Sequence, residues 1–116
     1  MKTVDTFLAE LLQLGGSDLH IPAGCAPMVR LHGELEPLPY QAFDADYVRN
    51  VALEILSPKH QDELFEEASV DFIYEMEDVT TGSTRRFRSN AFFQKNGLNL
   101  VFRAVGNKIP TIQDLG

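Results

Sequence analysis

Cysteine is almost missing from this sequence. Cys25 is the only one in 116 residues, so no intramolecular disulfide and no C-x-x-C zinc pair can form, a usage that fits a reducing compartment. Long apolar runs are missing as well. No uninterrupted stretch approaches the ~18 residues a membrane-spanning helix needs. The residues after Met1-Lys2-Thr3-Val4-Asp5 mix apolar side chains with Glu10 and Gln13, unlike a secretory signal. The expectation is a soluble cytoplasmic domain without membrane insertion. Basic charge is scarce over residues 1–84, which hold 4 Lys/Arg against 16 Asp/Glu, a net −12. Residues 85–116 reverse this with 6 Lys/Arg and one acid, a net +5, giving −7 for the chain. An acidic body argues against nucleic-acid binding, while the basic C-terminal third leaves room for a local anion site. There is no internal repeat, no G-x-x-x-x-G-K-[ST] and no G-x-G-x-x-G. The chain alone is therefore not expected to cradle a nucleotide or to carry catalytic residues.

What is present is an ordinary one-domain composition, 44% hydrophobic and 23% charged. Val4, Phe7, Leu8, Leu11, Leu12 and Leu14 follow helical spacing, and Gly15-Gly16 ends that helix. Leu19 and Ile21 alternate with Asp18 and His20 in a short strand. Met28–Leu31 and Glu34–Leu38 flank His32-Gly33 as a hairpin, with Pro37 assigning its second arm to a sheet edge. Asp44 caps a helix with Val48, Val51, Ala52, Ile55 and Leu56 on one face. Ser57-Pro58 starts another that runs to about Ala68, with Leu64 and Phe65 inward. Val70–Tyr74 is a strand and Glu77–Ser83 an acidic loop. Thr84–Lys95 and Leu98–Val105 form a hairpin around Asn96-Gly97. The order, helix, three strands, two helices, three strands, implies an α+β domain. The expectation is a PAS-like mixed or antiparallel sheet of about six strands backed by three helices over residues 1–107. At residues 108–116, Thr111 and Asp114 have the spacing of a helix cap, which points to a linker into something further.

With Asn96 and Gly97 as the two loop residues, Asn90 opposes Arg103. One face of the hairpin then carries Phe87, Ala91, Phe93, Leu98, Leu100, Phe102 and Ala104, and the other Arg86, Arg88, Asn90, Gln94, Asn99 and Arg103. Arg88 and Arg103 become diagonal neighbours, close enough to share an anion. Guanidinium forks suit phosphate oxygens, but carboxylates of the acidic body would satisfy the same arginines. Other candidates are poorer. His20, His32 and His60 lack zinc-ligand spacing, so no metal is expected. Ser17, Asp18 and His20 sit too close on one strand for a hydrolytic triad, and Cys25 has no neighbouring base.

Several segments resemble the type IV pilus retraction ATPases, the PilT-like branch of the secretion ATPases. They are Gly15-Gly16-Ser17-Asp18-Leu19-His20, Pro27–Leu35, Phe65-Glu66-Glu67, Asp71-Phe72, Arg86–Phe92, Val101-Phe102-Arg103 and Ile109-Pro110-Thr111. The resemblance spans essentially the whole chain. It implies the PAS-like N-terminal domain of a hexameric motor, joined by a linker to a RecA-like ATPase domain that is not in this sequence and that binds ATP and Mg. It further implies that Arg88 and Arg103, and less directly Arg86, contact the nucleotide phosphates, and that Ser17, Asp18 and His20 form a structural or interdomain motif. The partners implied are the RecA-like domain, neighbouring subunits of a homohexamer and the inner-membrane platform protein of the pilus. Such a motor would be cytoplasmic, at the inner face of the inner membrane. The rival expectations are a stand-alone PAS-like ligand-sensing or protein-interaction module, or the N-terminal domain of a related secretion or conjugation ATPase.

Overall fold

Helix α1 (Thr3–Leu14) buries Val4, Phe7, Leu8 and Leu11 on one face, leaving Leu14 half exposed rather than inward. Its end is sharp because Gly15 adopts φ +75°, and the amides of Gly15 and Gly16 return to the carbonyls of Leu12 and Leu11. A computed structural model gives the fold, and it describes residues 2–78 and 81–105. The strands are β1 (Asp18–Pro22), β2 (Met28–Leu31), β3 (Glu34–Pro37), β4 (Ser69–Asp78), β5 (Ser83–Gln94) and β6 (Gly97–Ala104). Helices α2 (Ala45–Ile55) and α3 (Pro58–Glu67) lie between the two strand triplets in sequence. Asp44 and Ser57 cap them by accepting from the amides of Tyr47 and His60, as their positions before each helix foretell. Thr111 and Asp114 lie outside the described residues.

All six strands form one antiparallel sheet in the order β3-β2-β1-β6-β5-β4. Each triplet is a meander, and the β1–β6 pairing joins them at the centre. The three helices pack on one side, α1 on β1, α2 on β6 and α3 on β4. The alternation of every long strand follows from this one-sided cover. Phe87, Leu100, Phe102, Leu19 and Ile21 are fully buried beneath the helices, each stabilising the fold by about 1.5–3 kcal/mol. No described helix covers the other face of the sheet. Pro37 ends β3, which is an edge strand as the sequence implies.

Three expectations are corrected. Phe65 is 49% exposed rather than inward; it stacks on Phe93 with ring centroids 5.8 Å apart, and the Arg49 guanidinium sits 5.5 Å from its ring centre. Only Leu64 faces the core from α3, because the helix meets the sheet along a narrow strip at β4. The acidic segment Glu77–Ser83, read as a loop, is strand at its two ends, with β4 running to Asp78 and β5 starting at Ser83. Finally, the β5–β6 hairpin turns one residue earlier than Asn-Gly suggests. Gln94 pairs with Gly97, so Lys95-Asn96 is the turn, and neither of those residues has positive φ. Gly97, the first residue of β6, meets two demands at once: its φ is +131°, and a Cβ there would lie 3.0 Å from that of Ala45 and 3.1 Å from that of Ala23, where the start of α2 presses on β6. The register moves by two residues, so every side chain keeps its face. What changes is the partner: Arg88, not Asn90, stands opposite Arg103.

Candidate functional site

The uncovered sheet face carries a continuous row of register partners across all six strands. In order these are Ile73, Arg88, Arg103, Asp18, Arg30 and Leu35. Three arginines and one carboxylate thus occupy the middle of the row. Directly opposed side chains in an antiparallel pair have Cβ atoms about 4.5–5.5 Å apart, so the Arg88 and Arg103 charges repel unless something negative is shared between them. A cleft of about 380 Å³ opens at this place, lined by Asp71, Phe72, Ile73, Arg88, Ser89, Asn90, Val101 and Arg103.

The arginines differ in what holds them. Arg103 donates from Nε to Asp18 Oδ2 at 3.1 Å, while its side chain stays 58% exposed. Arg88 is exposed and has no hydrogen-bond or ion-pair partner among the described residues. Arg86 faces the same side with Nε 3.3 Å from Glu75 Oε2; both side chains are largely in water, where such a pair contributes under about 1 kcal/mol. Arg30 is tethered through Nη1 to the carbonyl of Gly33 at 3.0 Å. Within the cleft, Asn90 Nδ2 donates to Asp71 Oδ1 at 2.7 Å, so this carboxylate, diagonal to Arg88 across β4 and β5, already accepts a hydrogen bond.

Asp18 and His20 project from β1 into this face. Burial alone would raise the Asp18 carboxyl, but hydrogen bonds from Ser17 and Arg103, with the nearby Arg103 and His20, outweigh it and hold the group below its ordinary value. His20 is displaced downward chiefly by burial, with Arg30 and Arg103 adding to the effect and Asp18 opposing it; its Nε2 is buried without a hydrogen-bond partner among the described residues. Ser17 stands just before β1 and fastens it to both neighbours, its amide donating to Arg30 O and its carbonyl accepting from Ala104 N. Gly16 makes this tight entry possible, since a Cβ there would lie 2.7 Å from Leu11 Cδ1 and 2.9 Å from the Arg30 carbonyl oxygen.

Of the site residues expected from the sequence, Arg88 and Arg103 line the cleft and the others lie around it. Arg86, Arg88, Arg103, Asp18 and His20 share the open face, and Ser17 anchors its central strand. The two readings weighed for the arginines divide between them: Arg103 has a carboxylate from the acidic half, and Arg88 has none among the described residues. Sequence reasoning missed Arg30 and the Asn90–Asp71 pair. Alternation in β2 could have placed Arg30 on a face, but nothing in the sequence announced that β2 lies two strands from β6. Among the described residues no group of three His, Cys, Asp or Glu gathers as a metal site.

No family profile matches the chain. The type IV pilus retraction ATPase PilT of Pseudomonas aeruginosa is 32% identical over 113 residues, covering 97% of this chain and 31% of that protein. The type IV pilus ATPase PilU of the same organism is 26% identical over 111 residues, covering 96% and 28%. A crystal structure of the pilus retraction motor PilT with bound ADP superposes on all of this chain and 32% of its own, with TM-score 0.81 and 31% identity. The chain thus spans about a third of the length of the relatives it matches. Its three helices on a six-stranded open sheet are the N-terminal domain type of a motor ATPase. More particularly, it belongs with the PilT-like pilus ATPases and corresponds to their N-terminal domain.

Proposed function

We propose that this domain presents its open sheet face to the triphosphate of an ATP held, with Mg, by a RecA-like ATPase domain, and that Arg88 and Arg103 supply the positive charge. The observation carrying this reading is the direct opposition of two exposed guanidinium groups on the wall of one cleft, one of them without a carboxylate partner among the described residues. Charge developing on the phosphoryl oxygens is best met by preorganised donors of this kind. Arg86, already beside Glu75, is the lesser contributor. The domain works as an interdomain and regulatory element, coupling nucleotide state to the position of its sheet. In this reading the neighbours are the RecA-like domain and further subunits of a homohexameric retraction motor. That motor serves twitching motility from the cytoplasmic side of the inner membrane, against the pilus platform protein. Residues 1–107 form the domain and 108–116 lead into the linker. Names of relatives, which are pilus retraction and pilus ATPases, support the setting.

The test is ATP turnover by the motor that carries this domain, with Arg88→Ala and Arg103→Ala. Both variants should keep the fold and lose most turnover. Wild-type rates in both would remove the arginines from the reaction.

A further inference from the structure

A single carboxylate sits among the arginines of the central row, and the phosphate contact does not use it. Asp18 stands opposite Arg103 on one side and Arg30 on the other. Its side chain is 8% exposed beneath an Arg103 that is 58% exposed. The contact is made through Arg103 Nε, at 3.1 Å, and leaves both Nη groups uncommitted among the described residues. Those two groups are the edge that forms parallel hydrogen bonds with phosphate oxygens. Arg30 does not compete for the same role, because its Nη1 is spent on the Gly33 carbonyl within its own hairpin. Asp18 is in turn held still by a β1 paired on both edges.

We propose that Asp18 is a positioning residue that grips Arg103 by Nε and aims its Nη fork into the cleft. Arg103 is then set before a polyphosphate arrives, whereas Arg88 is ordered only by the polyphosphate itself. This rests on the phosphate reading of the cleft and adds a division of labour to it. Charge and orientation predict opposite signs. A carboxylate near an anion site repels the anion, so charge alone says that neutralising Asp18 tightens binding. Orientation says that it weakens binding, because a freed arginine loses rotamer freedom on contact, worth roughly five- to tenfold in affinity for one such side chain.

The experiment titrates this chain with tripolyphosphate by calorimetry, at constant ionic strength, alongside NMR of the arginine Nε–Hε signals. Asp18→Ala should weaken binding roughly tenfold and speed the solvent exchange of the Arg103 Nε–Hε proton. Asp18→Asn should lie between it and wild type, since the amide oxygen still accepts from Nε. It decides the question alone if the alanine variant does not fold, with weaker binding supporting the proposal and unchanged or tighter binding overturning it. Equal or tighter binding by Asp18→Ala, while Arg103→Ala weakens it, overturns the positioning role and leaves the phosphate contact standing. Absence of binding by the wild-type chain, or binding indifferent to both Arg88→Ala and Arg103→Ala, overturns the phosphate reading and the positioning role with it.

Discussion

Arg88 and Arg103 face each other directly across β5 and β6, and among the described residues only Arg103 of the two is bonded to a carboxylate. Removing them should therefore have unequal effects on stability. Arg88→Ala deletes an exposed charge that repels its neighbour and should change the unfolding free energy by less than about 0.5 kcal/mol. Arg103→Ala takes the guanidinium donor and counter-charge from the buried Asp18 carboxylate and should cost about 1–3 kcal/mol. Urea unfolding of the two variants compares them; equal losses would contradict the asymmetry.

Acid should weaken the domain in two stages. His20 is held below its ordinary 6.5 in the folded state, chiefly by burial, so the unfolded chain takes up that proton first. Stability from this group is complete above about pH 6.5 and declines as the pH falls below it. Asp18 is held below 3.8 when folded, so its contribution is present above that value and lost as the pH falls through the folded one. Denaturation of wild type, His20→Gln and Asp18→Asn at a series of pH values should show the first decline missing in one variant and the second missing in the other. A wild-type curve that is flat between about pH 7.5 and 5 would be inconsistent with the His20 environment.

Gly16 should tolerate alanine less well than Gly15, although Gly15 has the positive φ. At Gly15 nothing lies within 4 Å of an added Cβ, and the cost is conformational, about 1 kcal/mol. At Gly16 the added carbon meets the Arg30 backbone oxygen, which has no room to retreat within a paired strand, and about 1–3 kcal/mol is expected. Melting of the two variants ranks them, and the reverse order would show that β1 and β2 can part at little cost.

Phe102 is fully buried, with its ring edge-on to both Phe72 and Tyr74 at centroid distances of 6.4 and 6.1 Å. Phe102→Ala should cost about 3–5 kcal/mol. Because its neighbour on β6 is Arg103, the same change should disturb polyphosphate binding even where the chain remains folded. Intact affinity in a folded Phe102→Ala protein would uncouple the core from the site.

Much of this was legible in the residues because strands with one dry face must alternate. The period of two placed Arg88 and Arg103 together on the open face, and it did so even though the turn was misplaced, since a slip of two residues preserves sidedness. The turn falls one residue earlier because Gly97, with its positive φ and no side chain to obstruct α2, pairs with Gln94 as the first residue of β6 rather than sitting in the loop. Phe65 was misplaced because spacing on a helix cannot tell how wide a strip the sheet will cover. Asp18 as the partner of Arg103 was out of reach for a different reason. The two are 85 positions apart, and no local pattern states which strands become neighbours.

The β1–β6 seam joins the beginning of the chain to the end of its described part. Neither triplet of strands possesses the arginine–aspartate row alone, so the row comes into being only once the two halves have zipped together. Parting that seam would therefore dismantle the row while leaving the hydrogen bonds within each meander in place.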